Sequence, residues 1–101
     1  FAVSGSQFAA AWRRENTVYR SGIGGSELEL GPGRQPVVVI TAKGPVYAWT
    51  NGKSLLWWRD DKQDTRKLDG QGSYLSLAAL ANGSVLVASE RDGRILIDRL
   101  E

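Results

Sequence analysis

Few side chains in this 101-residue sequence are equipped for chemistry. It contains no cysteine and no histidine. Disulfides, zinc fingers and iron–sulfur centres are therefore excluded within it, and the commonest general base is absent. Oxygen-only cation sites remain possible, and Asp60, Asp61 and Asp64 are the densest group of carboxylates. They lack the glycine and closing glutamate of a calcium loop, so a solvated loop is the better reading. Gly22-Ile-Gly-Gly25 has no lysine at the distance a phosphate loop needs, and no helix follows it. No cofactor is expected.

Two places stand out for binding. Arg34 and Gln35 occupy the turn Gly33-Arg-Gln-Pro36 at the head of an apolar run, where a guanidinium and an amide can meet a ligand. Their simpler role is to hydrogen-bond the backbone of a neighbouring element. Trp57 and Trp58 are adjacent, so on a strand they point to opposite faces. One is expected in a core and the other is free to stack on a sugar, a base or a protein. Arg13-Arg-Glu-Asn16 reads as a polar hairpin tip.

The elements that must position these residues are strands. Pro36-Val-Val-Val-Ile-Thr41 is a short, continuous, β-branched run, as expected of a strand covered on both faces. Val46–Thr50 and Ser54–Arg59 flank Asn51-Gly52, the composition of a type I′ hairpin. Asn82-Gly83 separates Tyr74–Leu80 from Val85–Ser89, and Arg91-Asp92-Gly93 precedes Ile95–Leu100. Glu27–Leu30 and Thr65–Asp69 alternate charge with leucine, the pattern of an edge strand with one wet face. Phe8–Glu15 has helical propensity, but its place in the repeat favours strand.

That repeat organises the chain. A shift of 39 residues carries Gly31-Pro-Gly33 onto Gly70-Gln-Gly72, Gly44 onto Gly83, Val46 onto Val85, and Leu56-Trp-Trp58 onto Ile95-Leu-Ile97. An offset of 37 carries Ala11-Trp12 onto Ala48-Trp49, which places both tryptophans in packing. Three apolar strands and a charged outer one make a propeller blade. The expected fold is all-β, with antiparallel four-stranded blades in copies 1–30, 31–69 and 70–101. A closed β-sandwich or barrel is the alternative. A propeller closes with roughly four to eight blades. About two and a half blades would therefore need partners, either further blades from the rest of a parent chain or identical copies. The first residue is Phe1, so the expectation is a processed or excised piece of something longer.

GRQPVVVITAKGPVYAWTNGKSLLWW and ALANGSVLVASERDGRILIDRL resemble blades of sialidase-like propellers, the group named for bacterial neuraminidase repeats. Ser89-Glu-Arg-Asp-Gly-Arg-Ile95 resembles that family's Asp-box at altered spacing, and Thr50–Ser54 departs further. The resemblance implies a glycan-handling surface and export, to a secreted or periplasmic location. Sialidase chemistry needs an arginine cluster, a tyrosine nucleophile with its glutamate, and an acid. No residue here matches those motifs, so the expected role is a non-catalytic binding or scaffold module engaging a glycan or a protein. A fragment of a glycoside hydrolase and a structural subunit are the alternatives. Thirteen basic and eleven acidic residues, scattered along the chain, give no reason to expect nucleic acid. No apolar run is long enough to span a membrane.

Overall fold

Successive side chains of a strand point to opposite faces, and this governs the centre of the molecule between Val37 and Trp58. The computed structural model describes residues 2–4, 7–21, 26–52, 54–69 and 73–100. Among the described residues the chain forms strands and no helix. They are β1 (Ala2–Ser4), β2 (Gln7–Ala9), β3 (Ala11–Arg14), β4 (Thr17–Ser21), β5 (Glu27–Pro32) and β6 (Arg34–Thr41). After these come β7 (Gly44–Thr50), β8 (Ser54–Arg59), β9 (Asp64–Asp69), β10 (Ser73–Ala79), β11 (Val85–Arg91) and β12 (Arg94–Leu100). Every pairing is antiparallel. β6-β7-β8-β9 is a four-stranded central sheet, β10-β11-β12 follows it, and β3-β4-β5 precedes it beside the short β1-β2 pair. Only Ala10 separates β2 from β3, and the Ser21 hydroxyl accepts its N–H at 3.0 Å.

The sheets form three layers. Val46, Ala48, Leu55 and Trp57 of the central sheet pack on Leu75, Val85, Val87 and Leu100 of the C-terminal sheet. The intervening positions Tyr47, Trp49 and Trp58 pack on Ala9 and Val18 of the N-terminal layer. The central sheet therefore has two apolar faces, which is why its sequence reads as nearly continuous hydrophobic runs. β6 lies at the meeting point, touching β1, β2, β3 and β10. The sheets do not close on themselves. This overturns the closed-barrel alternative, and three layers replace the two of a simple sandwich.

The turns refine the repeat. Thr41 pairs with Gly44 across the two residues Ala42 and Lys43. In the next copy Leu80 and Ser84 enclose three, Ala81-Asn82-Gly83, with Gly83 at φ +86°. That is the three-residue hairpin whose last position is left-handed. The extra residue changes the equivalence after the turn. Val37 pairs with Ala48 and Ser76 with Ala88, so the shift is 39 in the first strands and 40 in the second. Val46 thus corresponds to Leu86 and Trp57 to Ile97, one residue on from the expected partners Val85 and Leu96. A one-residue slip exchanges the two faces of a strand. Val46 and Val85 accordingly face each other across one core.

Asn51-Gly52 also differs from expectation. Gly52 has φ +96° and Asn51 does not have positive φ, while the Asn51 N–H bonds to the Ser54 carbonyl. Asn51 is therefore the first residue of the turn, and its side chain accepts the Ser54 N–H at 2.8 Å. The positive-φ pair of a type I′ turn occurs instead at Asp92-Gly93, between the paired Arg91 and Arg94. The glycine alignments at Gly22–Gly25 and Gly70–Gly72, and Phe1, lie outside the described residues.

Candidate functional site

Arg34 and Gln35 open β6 beside a bulge that shifts its register against β7. Arg34 is exposed and lines a recess of about 220 Å³ with Asn16, Pro32, Gly33 and Asn51. Gln35 sits at φ +56°, and its Oε1 accepts the backbone N–H of Tyr74 at 3.0 Å. It therefore ties the central sheet to the C-terminal one, the simpler of its two expected roles. Tyr74 is its counterpart one repeat on, again left-handed at φ +58° and beside a bulge.

The tryptophan pair does point to opposite faces, but both faces are covered. Trp57 is 7% and Trp58 9% exposed, so neither is free for stacking, contrary to expectation for one of them. Trp57 lies between the central and C-terminal sheets, and its Nε1 has no hydrogen-bond partner. Trp58 lies under Arg20, whose guanidinium carbon sits 4.1 Å from the ring centroid. The central sheet has one layer on each side at β8, so neither tryptophan has an open face there.

The expected equivalence of Trp12 and Trp49 also divides. Trp49 is buried and donates its Nε1–H to the Pro32 carbonyl at 3.1 Å. Trp12 faces away from the central sheet and donates to Glu27 at 3.1 Å. Arg14 grips the same carboxylate with 2.8 and 2.6 Å bonds and lies over Tyr19 at 4.9 Å. The Arg14 hydrogen bond holds the Glu27 carboxyl below its ordinary range, against a smaller opposing effect of desolvation. This cluster satisfies its own charges.

A larger cleft, about 510 Å³, opens between the N-terminal layer and the central sheet. Arg20 and Ser21 at the end of β4 form one wall with Phe8 and Leu28, while Pro45, Tyr47, Asp60 and Gln63 supply the other. The volume is in the range of small-ligand sites. Arg20 spends one donor on the Ser21 carbonyl at 3.4 Å. No carboxylate pairs with it among the described residues. Its plane is set by Trp58 on one side, with the Tyr47 ring centroid 6.0 Å away. Burial pushes the Tyr47 hydroxyl above its ordinary pKa, and a hydrogen bond with Ser21 and the charge of Arg20 partly oppose this.

Sequence reasoning missed Arg20 and Tyr47. Their meeting depends on two sheets stacking, and no local motif records it. Asp60 was visible only as part of an acidic loop. Of its neighbours, Asp61 is bonded to buried Arg59 at 3.2 Å and Asp64 to Arg66 at 3.5 Å. Arg59 also donates to the Gly83 carbonyl at 3.3 Å, linking two sheets. Among the described residues no group of three acidic side chains is placed to hold a metal ion, and no helix is long and apolar enough to cross a membrane. Comparison with protein-family models, with curated proteins and with solved structures finds no match to this chain.

Proposed function

We propose that the chain is a non-catalytic scaffold and binding module, about two and a half blades of a sialidase-like β-propeller that engages a glycan or a protein partner. The observation that carries this reading is the equivalence of covered and uncovered faces. The outward face of the C-terminal sheet presents Leu86, Ala88, Ile95 and Ile97, the counterparts of Val46, Ala48, Leu55 and Trp57. In the central sheet those four positions receive the next sheet. Ile95 and Ile97 are 67% and 69% exposed, an apolar pair of the kind that marks an interaction surface. Trp12 at the opposite end is the counterpart of Trp49, which the preceding layer covers. Both outer faces thus suit further sheets of the same repeat, from a parent chain or from identical copies.

Burial raises the Tyr47 hydroxyl, so this tyrosine is not activated as a nucleophile. Export belongs to the same proposal. Light scattering on this chain tests the scaffold reading. Self-association is expected, with Ile95→Lys/Ile97→Lys shifting it toward monomer. A stable, folded monomer of the unsubstituted 101-residue chain at high micromolar concentration refutes the proposal.

A further inference from the structure

We infer that the cleft between the N-terminal layer and the central sheet is a seat for a small zwitterion of the α-amino acid class. Its carboxylate would rest on Arg20 and its ammonium on Asp60. The inference stands on the cleft itself and is independent of whether further sheets complete a propeller.

Arg20 and Asp60 carry opposite charges, come from different layers and line one cavity without forming an ion pair. Elsewhere in the described structure four carboxylates are held in ion pairs. Arg14 pairs with Glu27, Arg59 with Asp61, Arg66 with Asp64 and Lys67 with Asp69. Arg20 is held differently. Trp58 supports the flat face of its guanidinium and so fixes the plane in which its donors lie. A guanidinium has five N–H donors; the Ser21 carbonyl takes one and the Tyr47 hydroxyl another. The edge that remains suits a carboxylate, which accepts two parallel bonds.

The surroundings divide in the same sense. The Tyr47 hydroxyl accepts from Ser21 and Arg20 and keeps its own O–H as a donor for an anion. Asp60 has only acceptors and suits an ammonium. Its backbone N–H is bonded to the Pro45 carbonyl at 3.1 Å, which anchors the turn that carries it. Leu28 and Pro45 are apolar lining for a hydrocarbon side chain. A purely anionic ligand would meet the repulsion of Asp60, and a purely cationic one that of Arg20. A zwitterion satisfies both.

Three probes that share a phenyl ring separate these contributions: L-phenylalanine, 3-phenylpropionate without the ammonium, and L-phenylalaninamide without the carboxylate. Titration is followed by tryptophan fluorescence, to which Trp58 contributes, and by calorimetry. Phenylalanine is expected to bind at least about tenfold more tightly than either analogue. Arg20→Met should reduce phenylalanine to the level of the amide. Asp60→Asn should weaken phenylalanine while leaving 3-phenylpropionate equal or tighter. Because Arg20→Met uncovers Trp58, Arg20→Lys serves as a folded companion that retains charge without the fork, and an intermediate loss is expected. Binding of all three probes within twofold of one another overturns the inference. So does no saturable binding of phenylalanine, or unchanged affinity in folded Arg20→Met.

Discussion

Replacing Gly33 with alanine concentrates the strain of the layer junction on one atom. Gly33 joins β5 to β6 at φ +148°, a region almost closed to residues with a side chain. A Cβ built there lies 2.4 Å from Trp49 Cδ1 and 2.8 Å from the Thr50 carbonyl oxygen. Neither neighbour can yield cheaply. Trp49 is 1% exposed and pinned by its bond to Pro32, and the other contact is backbone. The Gly33 N–H is itself committed to the Asn16 carbonyl at 2.9 Å. Overpacking costs about 1–3 kcal/mol and the backbone conformation about 1–3 more, less roughly 0.4–1 from the stiffer unfolded chain. The expected loss is about 1–5.5 kcal/mol, a large part of a small domain's stability. At about 4–8 °C per kcal/mol, the melting temperature should fall by at least about 4 °C. Gly93→Ala is the internal control. Gly93 is also left-handed, at φ +77°, but a Cβ there meets nothing within 4 Å. It should cost only about 1 kcal/mol. Thermal and urea denaturation of both variants decide the matter. Gly33→Ala melting no lower than Gly93→Ala would refute the packing of Trp49 against this turn.

Two further outcomes follow from the described contacts. Trp57→Phe removes a buried N–H that has no partner, a relief of about 1–3 kcal/mol that should largely offset the smaller ring. Trp49→Phe breaks a made bond to Pro32, so urea titration should find it clearly the more damaging; equal losses would contradict the assignment. Glu27, Asp61 and Asp69 all titrate below their ordinary values. The cause is the Arg14 hydrogen bond for Glu27 and the Ser54 bond at 2.6 Å for Asp69; at Asp61 desolvation is the largest single effect and raises the value, but the bond and charge of Arg59, a backbone hydrogen bond and the charge of Lys43 together outweigh it. A carboxyl depressed in the folded state stabilises fully above its unfolded pKa of about 4, and that stability is lost as pH falls through the folded value. Denaturation midpoints should therefore be level near neutrality and decline below about pH 4; a midpoint unchanged between pH 7 and 3 would contradict these contacts.

Most of the strands from β5 onward were legible in the sequence. Val37–Ile40 could be read as doubly covered because both residue parities are apolar, and Glu27–Leu30 as an edge because only one is. Ser54–Arg59 forms a strand with the bounds its composition suggests. These properties are local, set by neighbours two residues apart and by glycines at turns. The faces were another matter. One additional loop residue at Ala81–Gly83 changed which residues of the last copy correspond to Val46 and Trp57, and composition does not count residues in a turn. Only the stacking of sheets decided that Trp57 and Trp58 are both enclosed, that Gln35 reaches Tyr74 on the next sheet, and that Arg20 stands across a cleft from Asp60. Those arrangements come from layers that stack about 10 Å apart and join residues tens of positions apart in sequence, beyond the range of any period-two pattern in the chain.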